Sequence, residues 1–504
     1  MRLSRYAPIL SLIAVLTAVP GPALAAPPPS AGSGTDLDAA TIPDLQRQMD
    51  RGQLSAVTLT RKYLARIRSV DPKLHAVLAL DPTALAQAAQ SDARRRSGHT
   101  RGPLDGIPVL LKDNIDTKNL RTTAGSRALL GRPPSKDATL VRNLRDAGAV
   151  ILGKTNLSEW ANFRSTNSTS GWSGVGLQTN NPYELDRNPC GSSAGSGAAV
   201  AASLAQVAIG TETDGSIMCP SGANGIVGVK PSLGVVSGAG VVPISSEQDT
   251  AGPMARHVID AALTLSALHG KGSADYSAQA GTLRGARIGI WRKAGIDPEV
   301  DRIVQASVDT MRARGATVVD VTLPYQDQVD ANEFPALLAE FADQLPGYLA
   351  TRPGAPRTMA DLVAFDRRDP VELSKFGQEL FEQALTAPGV DDPIYLKQRA
   401  TATSLARRSI DETLAANHLD AIVGPSNSPA WVTSYGHGDD YELGSATPAA
   451  VAGYPNVSVP AGYSGELPVG VSFFAGRFAD ARVLSLAAAF EQAAPVRHAP
   501  KYLP

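Results

Sequence analysis

Two serine-rich segments carry the residue types that nucleophilic catalysis uses. The stretch "IGTETDGSIMCPSG" places Ser216 behind an acidic, hydroxyl-rich turn, and "PCGSSAGSG" contains Ser192 and Ser193. A serine hydroxyl is barely ionised at neutral pH and needs a neighbouring base, most often histidine, to become a nucleophile. None of the seven histidines stands in a recognisable motif, so we expect surface or packing roles for all of them. They are His75, His99, His257, His269, His418, His437 and His498.

A lysine offers the alternative base. Lys112 follows three apolar residues directly in "PVLLKDN". Burial in an apolar site disfavours the charged ammonium form, so the pKa of a lysine there falls and its amine can accept a proton near neutral pH. The other interpretation is a solvated lysine at the end of a strand, which composition alone would favour.

A second nucleophile motif competes for the same segment. Residues 191–195, "GSSAG", fit the G-x-S-x-G pattern of the α/β-hydrolase elbow, which would make Ser193 the nucleophile. The preceding "NNPYELDRNPC" reads as a loop, whereas that elbow follows a strand. A phosphate-binding loop is equally disfavoured, because no G-K-[S/T] follows the glycines.

The two cysteines flank these serine segments. Cys190 precedes Ser192, and Cys219 follows Ser216. Two cysteines exclude a disulfide scaffold and a cysteine-based zinc cluster. Either a single disulfide, which export would permit, or a pair of small buried thiols is compatible with this count.

Composition and the N-terminal segment limit the classes to which the protein can belong. The 504 residues are 43% hydrophobic and 19% charged, with a formal net charge of −1, and they show no Lys/Arg stripe that would indicate nucleic-acid binding. Arg2 and Arg5 precede a short apolar run and an "ALA" cleavage site, which predicts a signal peptide over residues 1–25. Residues 26–37 read as a flexible leader. We expect an exported protein, periplasmic or secreted, without membrane contact after signal cleavage.

Hydrophobic patterns predict alternating helices and strands. "SAVTLTRKYLARIRSVDP" reads as an amphipathic helix capped by Ser55, and "GIPVLLKDNID" as a buried strand. "GSGAAVAASLAQVAIGT" indicates a buried helix packed closely on its neighbours. Such alternation predicts an α/β fold, with a mixed, mostly parallel central sheet covered by helices on both faces. Residues from about 325 to 420 are more helical and more charged, and we expect substrate-specific elements there.

An ordered series of motifs resembles the amidase signature family. They are "GIPVLLKDNIDT", "GKTNLSEWANF", "NPYELDRNPCGSSAGSGAAVAASLAQVAIGTETDGSIMCPSGANGIVGVKPSLGVVS", "TPAAVAGYPNVSVPAG" and "LPVGVSFFAGRFADARVLSLAAAFEQ". The match runs from about residue 38 to about 495 and is weakest between about 270 and 420. The resemblance implies a single amidase domain over residues 38–504. Among family members, the "TETDGS" turn and the "CGSS" lead-in look most like the bacterial peptide amidases, which release ammonia from C-terminal peptide amides.

The resemblance implies a Ser–Ser–Lys triad. Ser216 matches the nucleophile, Ser192 the bridging serine that the family holds with a cis peptide bond, and Lys112 the general base. The backbone N–H groups of the turn are expected to face the developing oxyanion. These belong to Thr213, Asp214, Gly215 and Ser216. The implied chemistry needs neither a metal nor an organic cofactor.

Two departures and one segment bear on the substrate. Asp214 stands where many members have a second glycine, and it is expected to bond the local backbone or, less favourably, to face a substrate amine or peptide N–H. Met218 stands where many have arginine, which argues against substrates with a carboxylate beside the scissile amide. The residues in the family's substrate-lining segment are Ala161, Asn162 and Arg164.

Several functions therefore remain open. The first is an amidase acting on C-terminal peptide amides, and a variant of it would act broadly on small aliphatic or aryl amides. The second is an α/β-hydrolase-like esterase using Ser193 and a histidine. The third is an amidase fold serving only as a binding module, which the presence of all three triad residues disfavours. We expect a small-molecule or peptide substrate, no nucleic-acid partner, and a monomer or homodimer.

Overall fold

The computed structural model describes residues 35–272, 274–277 and 281–504. The predicted signal peptide and most of the predicted leader lie outside the described residues. Within the described chain, residues 37–504 belong to one compact unit. None of the helices in the described residues is both long enough and apolar enough to cross a membrane.

Strands and helices alternate along the chain, as the hydrophobic patterns predict. The strands are β1 (Val77–Leu80), β2 (Pro108–Lys112), β3 (Val150–Thr155), β4 (Trp172–Ser173), β5 (Leu177–Gln178), β6 (Val207–Glu212), β7 (Val227–Lys230), β8 (Thr250–Ala255), β9 (Arg287–Ile290), β10 (Thr317–Asp320), β11 (Ala421–Pro425), β12 (Asn456–Ser464) and β13 (Leu467–Phe474). The helices are α1 (Ile42–Asp50), α2 (Ala56–Val70), α3 (Ala84–Arg96), α4 (Thr139–Asp146), α5 (Ala194–Ala201), α6 (Met218–Ala223), α7 (Val258–His269), α8 (Pro298–Ala313), α9 (Gln326–Leu349), α10 (Met359–Asp366), α11 (Glu379–Ala384), α12 (Pro393–Asn417), α13 (Thr447–Ala452) and α14 (Asp480–Ala493).

One mixed sheet of eleven strands organises the described residues. Its strand order is β1-β3-β2-β6-β8-β7-β12-β13-β11-β9-β10, and helices cover both of its faces. The α/β class and the mixed sheet are therefore confirmed.

The expectation of a mostly parallel sheet is wrong. Parallel pairing is confined to β2 with β3 and β6, and to β9 with β10 and β11. The other six neighbouring pairs are antiparallel. One cause is local: only two residues separate β12 from β13, and Gly465 there adopts a positive φ of 61°. So short a connection can join only antiparallel strands.

Small residues bring one helix close to the site. Every residue of α5, "AGSGAAVA", is buried. A Cβ on Gly195 would lie 2.5 Å from the backbone oxygens of Ala76 and Asn156, so only glycine permits this approach. The predicted closely packed helix is thus confirmed, and the predicted N-cap of α2 is also present, with Ser55 accepting a hydrogen bond from the Thr58 N–H.

Helices α9 and α11 pack over the loop that follows β3. Phe163 packs edge-on against Phe341 of α9, with ring centroids 5.0 Å apart, and Trp160 packs against Phe381 of α11 at 5.8 Å. These contacts belong to a hydrophobic cluster separate from the main core beneath the sheet. The region that the sequence leaves without a motif is therefore a helical cover anchored by aromatic side chains.

Candidate active site

The ends of two parallel strands bring the lysine to the serine segments. Lys112 is the last residue of β2, and Thr211 lies near the end of the neighbouring parallel strand β6. Parallel strands place their carboxyl ends at the same edge of a sheet, where ligand sites of α/β proteins are commonly found. Ser192 stands just before α5, which packs against the same strands.

Lys112 is fully buried and makes three hydrogen bonds. Its Nζ donates to the Ser192 hydroxyl at 2.7 Å. It also donates to the Thr211 hydroxyl at 2.9 Å and to the Thr211 carbonyl oxygen at 3.2 Å. The amine therefore lies within proton-transfer distance of Ser192. The contact with Thr211 has no signal in the sequence motif.

Burial makes this lysine a plausible base. Desolvation lowers the pKa of Lys112 to about 7, against a smaller opposing effect of the negative charges on Asp249 and Glu212. A substantial fraction of the side chain is then neutral near pH 7. The alternative of a solvated lysine at a strand end is wrong.

Ser192 lies in a tightly enclosed backbone segment. The peptide bond between Gly191 and Ser192 is cis. A Cβ on Gly191 would lie 2.1 Å from the Ser158 hydroxyl and 2.7 Å from the Ser170 hydroxyl, so a larger residue would require these two serine side chains to move. Ser192 itself is fully buried, and its hydroxyl accepts the hydrogen bond from Lys112.

Ser216 lies beside this segment and is only partly buried. The Ser193 N–H donates to the Ser216 carbonyl oxygen at 3.2 Å, which joins the two serine segments through their backbones. The described residues show no hydrogen bond between the Ser216 and Ser192 hydroxyls. The structure therefore brings Lys112, Ser192 and Ser216 together, with a direct contact only between the first two.

Glu212 holds the turn that ends in Ser216. Its carboxyl group accepts hydrogen bonds from the N–H groups of Ile217 at 2.6 Å and Met218 at 2.9 Å. Burial raises the pKa of this carboxyl group, while Lys230 and the backbone N–H groups, including that of Gly215, lower it. Glu212 thus bridges the two sides of the nucleophile turn. The motifs do not predict this role. The signal that could have indicated it is an acidic residue at the end of an apolar strand.

The predicted oxyanion donors lie in the turn that ends at Ser216. Among the described residues, the N–H groups of Thr213, Asp214 and Ser216 make no hydrogen bond to a protein acceptor. The Gly215 N–H lies close enough to the Glu212 carboxyl group to lower the pKa of that group, and the role of Gly215 as an oxyanion donor stays a prediction. Gly215 has a positive φ of 73°, the conformation that lets the turn reverse before Ser216.

A disulfide ties the two serine segments together. Cys190 and Cys219 are bonded across 29 residues, with their Cα atoms 5.9 Å apart. Cys190 precedes the cis peptide, and Cys219 lies in the first turn of α6, just beyond Ser216. Of the two alternatives left open by the sequence, the pair of free thiols is wrong.

A cavity of about 650 Å³ opens beside the nucleophile turn. We call it the acidic cavity, because the acidic residues Asp214, Asp439 and Glu442 line it alongside one basic residue, Lys293. Gly191 and Gly215, the neighbours of Ser192 and Ser216, line it as well. A peptide-sized ligand in this cavity would therefore lie against the serine segments.

The predicted substrate-lining residues divide into two groups. Ala161 and Asn162 line the acidic cavity, as predicted for that segment, and both have positive φ. Arg164 does not line it. Its fully buried guanidinium donates to Glu159 at 2.7 Å and to the Gly377 carbonyl oxygen at 2.9 Å. Arg164 therefore connects the segment to the helical cover through buried contacts outside the acidic cavity. The prediction that Arg164 contacts substrate is wrong.

Asp214 and Met218, the two residues that differ from the common family pattern, have different surroundings. Asp214 lines the acidic cavity and accepts a hydrogen bond from the Thr447 hydroxyl at 2.8 Å, so its partner lies on α13 rather than in the local backbone. Burial and the nearby Glu333 raise the pKa of Asp214 well above its ordinary value. Met218 is fully buried. No cationic side chain therefore projects from that position into the cavity.

The burial and hydrogen bonds of Ser193 argue against its role as a nucleophile. Ser193 is fully buried, and its hydroxyl donates to the Thr211 carbonyl oxygen at 3.1 Å and accepts from the Thr211 N–H at 3.2 Å. Among the described residues, no histidine is hydrogen-bonded to Ser192, Ser193 or Ser216. The same residues include no cluster of His, Cys, Asp and Glu that could hold a metal ion.

Comparisons with known proteins agree with the motifs. The family model described as Amidase matches residues 58–484. The structure of the peptide amidase PAM in complex with the competitive inhibitor chymostatin is 47% identical, covers 92% of this chain and 99% of its own, and superposes with a TM-score of 0.89. The native peptide amidase from Stenotrophomonas maltophilia is 46% identical over 92% of this chain and 99% of its own, with a TM-score of 0.87.

A plant protein shows the same relationship in sequence. A probable amidase from Arabidopsis thaliana is 39% identical over 500 residues, which span 93% of this chain and 92% of the relative. The chain belongs to the amidase signature family and is an amidase-family hydrolase that resembles peptide amidases.

Proposed function

We propose that this protein hydrolyses the C-terminal carboxamide of peptides and releases ammonia, with Ser216 as nucleophile, Ser192 as bridging hydroxyl and Lys112 as base. The observation that carries the proposal is the 2.7 Å hydrogen bond from the buried Lys112 amine to the Ser192 hydroxyl. A buried amine with a pKa of about 7 is present in both protonation states near neutral pH.

The proposed reaction runs through an acyl-enzyme. Neutral Lys112 takes the proton of Ser192, which takes the proton of Ser216 as the Ser216 oxygen attacks the amide carbonyl carbon. The proton then returns through Ser192 to the amide nitrogen as the C–N bond breaks, and ammonia leaves. Water attacks the acyl-enzyme by the same relay and releases the carboxylic acid. A serine suits the middle position because its hydroxyl both donates and accepts.

The open N–H groups of the turn suit the developing oxyanion. Among the described residues, the N–H groups of Thr213, Asp214 and Ser216 have no protein acceptor, and backbone N–H groups of one turn can bind an anion together. Donors fixed in place before reaction stabilise the transition state more than the ground state, and one such donor contributes about 3 to 4 kcal/mol. The Glu212 bridge and the disulfide support this arrangement by holding both ends of the turn.

Three observations favour a peptide carboxamide as substrate. The similar peptide amidase PAM binds chymostatin, and the acidic cavity of this chain has a volume of about 650 Å³, enough for a short peptide. The buried Met218 supplies no positive charge that would pair with a carboxylate beside the scissile amide. A neutral terminal carboxamide avoids an unpaired charge at that position.

We also propose that the protein acts after export. The basic N-terminus, apolar run and "ALA" site support a cleaved signal peptide. The Cys190–Cys219 disulfide fits an oxidising compartment, where such bonds persist. N-terminal sequencing of the protein recovered from the periplasm or medium tests this directly, with Ala26 expected as the first residue.

Ammonia release from a substrate panel tests the proposed reaction. The panel contains amidated peptides, the matching free-acid peptides, simple aliphatic amides and an aryl amide. Wild type is compared with Ser216→Ala, and with Ser97→Ala as an exposed control serine. Ammonia from amidated peptides that is lost only in Ser216→Ala supports the proposal. Turnover restricted to simple or aryl amides rejects the peptide substrate, and activity retained in Ser216→Ala rejects the mechanism.

A further inference from the structure

A loop before β8 contacts the start of the nucleophile turn. The Thr213 hydroxyl donates to Asp249 Oδ1 at 2.6 Å. The other carboxylate oxygen of Asp249 accepts from the N–H groups of Ile244 at 2.8 Å and Ser245 at 2.9 Å. Three donors therefore fix the Asp249 carboxylate, and through it the side chain of Thr213.

The same loop connects the turn to the helical cover. Gln248 is buried and donates from Nε2 to the Thr213 carbonyl oxygen at 3.3 Å and to Glu333 of α9 at 2.7 Å. Its Oε1 accepts from Arg399 of α12 at 2.6 Å, and Arg399 pairs with Glu340 of α9 at 2.6 Å. Thr213 is thus held on its side chain by Asp249 and on its backbone by Gln248.

Asp249 also lies on the side of the site where the base is held. A second cavity of about 450 Å³, which we call the apolar cavity, is lined by Asp249, Asn114, Thr211 and Thr213 together with mostly apolar side chains. The Thr211 hydroxyl accepts hydrogen bonds from both Lys112 and Asn114 at 2.9 Å. Within the described residues, Asp249 and Glu212 are the carboxylates that raise the pKa of Lys112.

We propose that Asp249 is a positioning residue of this amidase site, which fixes Thr213 by a hydrogen bond and places a carboxylate in the apolar cavity on the side where Thr211 holds Lys112. The inference rests on the proposed function, because it concerns the base and the oxyanion donors of that reaction. Among the described residues, Asp249 makes no hydrogen bond to Lys112, Ser192 or Ser216. It acts through Thr213 and Lys112.

The sign of the charge effect follows from electrostatics. A nearby carboxylate stabilises the ammonium and so raises the pKa of Lys112, partly offsetting the effect of burial. Burial raises the pKa of Asp249 itself to about 6, with Glu340 adding to the rise and Thr213, Ile244 and Ser245 opposing it. The carboxylate is therefore charged at neutral pH. Removing its charge lowers the pKa of Lys112, so the amine stays neutral and active at lower pH.

Asp249→Asn tests the charge, and a pair of Thr213 variants tests the hydrogen bond. In Asp249→Asn, the acid limb of kcat/KM for an amidated peptide is expected to move to lower pH by at least about 0.5 unit. Thr213→Val removes one of the donors that lower the pKa of Asp249, so its readout is kcat on the plateau at high pH, where Asp249 is ionised. There kcat falls roughly five- to tenfold, and Thr213→Ser recovers it. Asp260→Asn is the matched control, because Asp260 is a buried carboxyl with a pKa of about 6 that bonds Ile42 and Gln206 instead.

Each result has a defined meaning. A wild-type acid limb in folded Asp249→Asn, or an equal shift in Asp260→Asn, overturns the role of the charge. If Asp249→Asn does not fold, the Thr213 pair decides: unchanged kcat in Thr213→Val overturns the positioning role. Loss of the peptide-amidase proposal is recognised separately, since it requires wild type to be inactive on amidated peptides or Ser216→Ala to be active.

Discussion

The burial of Lys112 predicts the pH dependence of amide hydrolysis. Desolvation brings its pKa from 10.5 to about 7. A lysine with the ordinary pKa of 10.5 is neutral in roughly one molecule in 3000 at pH 7, whereas a lysine with a pKa of 7 is neutral in about half. At about 1.36 kcal/mol per pKa unit, burial shifts the protonation equilibrium by roughly 5 kcal/mol toward the neutral form. The fold thus supplies most of the free energy that makes this lysine a base.

The shape of the pH profile of kcat/KM follows from which protonation state of Lys112 is active. Only neutral Lys112 can accept the Ser192 proton. Activity is therefore present above the folded-state pKa and lost below it, so kcat/KM should reach a plateau above about pH 8 and fall tenfold per pH unit below about pH 6. Lys112→Arg keeps a positive charge that never becomes neutral, and it should be inactive at every pH.

A continuous ammonia assay over pH 5 to 9 measures this profile, since kcat/KM reports the ionisation of the free enzyme. The thermal unfolding midpoint of each preparation shows that the protein remains folded at each pH. A plateau that extends unchanged to pH 5, or an active Lys112→Arg variant, would refute the argument that the buried lysine is the base.

Three further predictions concern the groups that hold the site. Ser192→Ala should lower kcat roughly a thousandfold in the ammonia assay, because it breaks the relay; a loss below tenfold would contradict the relay. Replacing both Cys190 and Cys219 by serine should lower the free energy of unfolding by about 3.6 kcal/mol, from the chain entropy of a 29-residue loop, as measured by urea denaturation; unchanged stability would show that the bond contributes nothing. Glu212→Gln should lower kcat roughly tenfold with little change in KM, because it weakens the charge-assisted bonds that shape the turn; an unchanged kcat would show that the backbone holds the turn alone.

Local patterns predict the elements of the fold, but they do not predict how its strands pair. Buried β2 and the small-residue helix α5 are readable because apolar periodicity and residue size are local properties. Strand direction is not, because it depends on which distant segments pair. Thus β8 returns antiparallel beside both β6 and β7, although alternating helices and strands favour parallel pairing.

The same distinction applies to the site. The motifs place Lys112, Ser192 and Ser216 correctly in one region because their resemblance to a family carries the three-dimensional arrangement with it. Arg164 was misassigned because its motif position does not reveal that Glu159 and the Gly377 carbonyl oxygen engage its guanidinium.

The contacts of the positioning residues also escape a sequence analysis. Asp249 and Gln248 lie 36 and 35 residues from Thr213. Side-chain hydrogen bonds over such separations leave no periodic signal in the sequence. Their role becomes visible only when the loop before β8 is seen against the nucleophile turn.

The residue that becomes acylated identifies the nucleophile. The folded protein is mixed with an activated ester that acylates a serine nucleophile, quenched in acid, digested and analysed by mass spectrometry. We expect one acyl group per chain, on Ser216, and none in Ser216→Ala. Acylation of Ser193, or labelling that persists in Ser216→Ala, would contradict the proposed nucleophile.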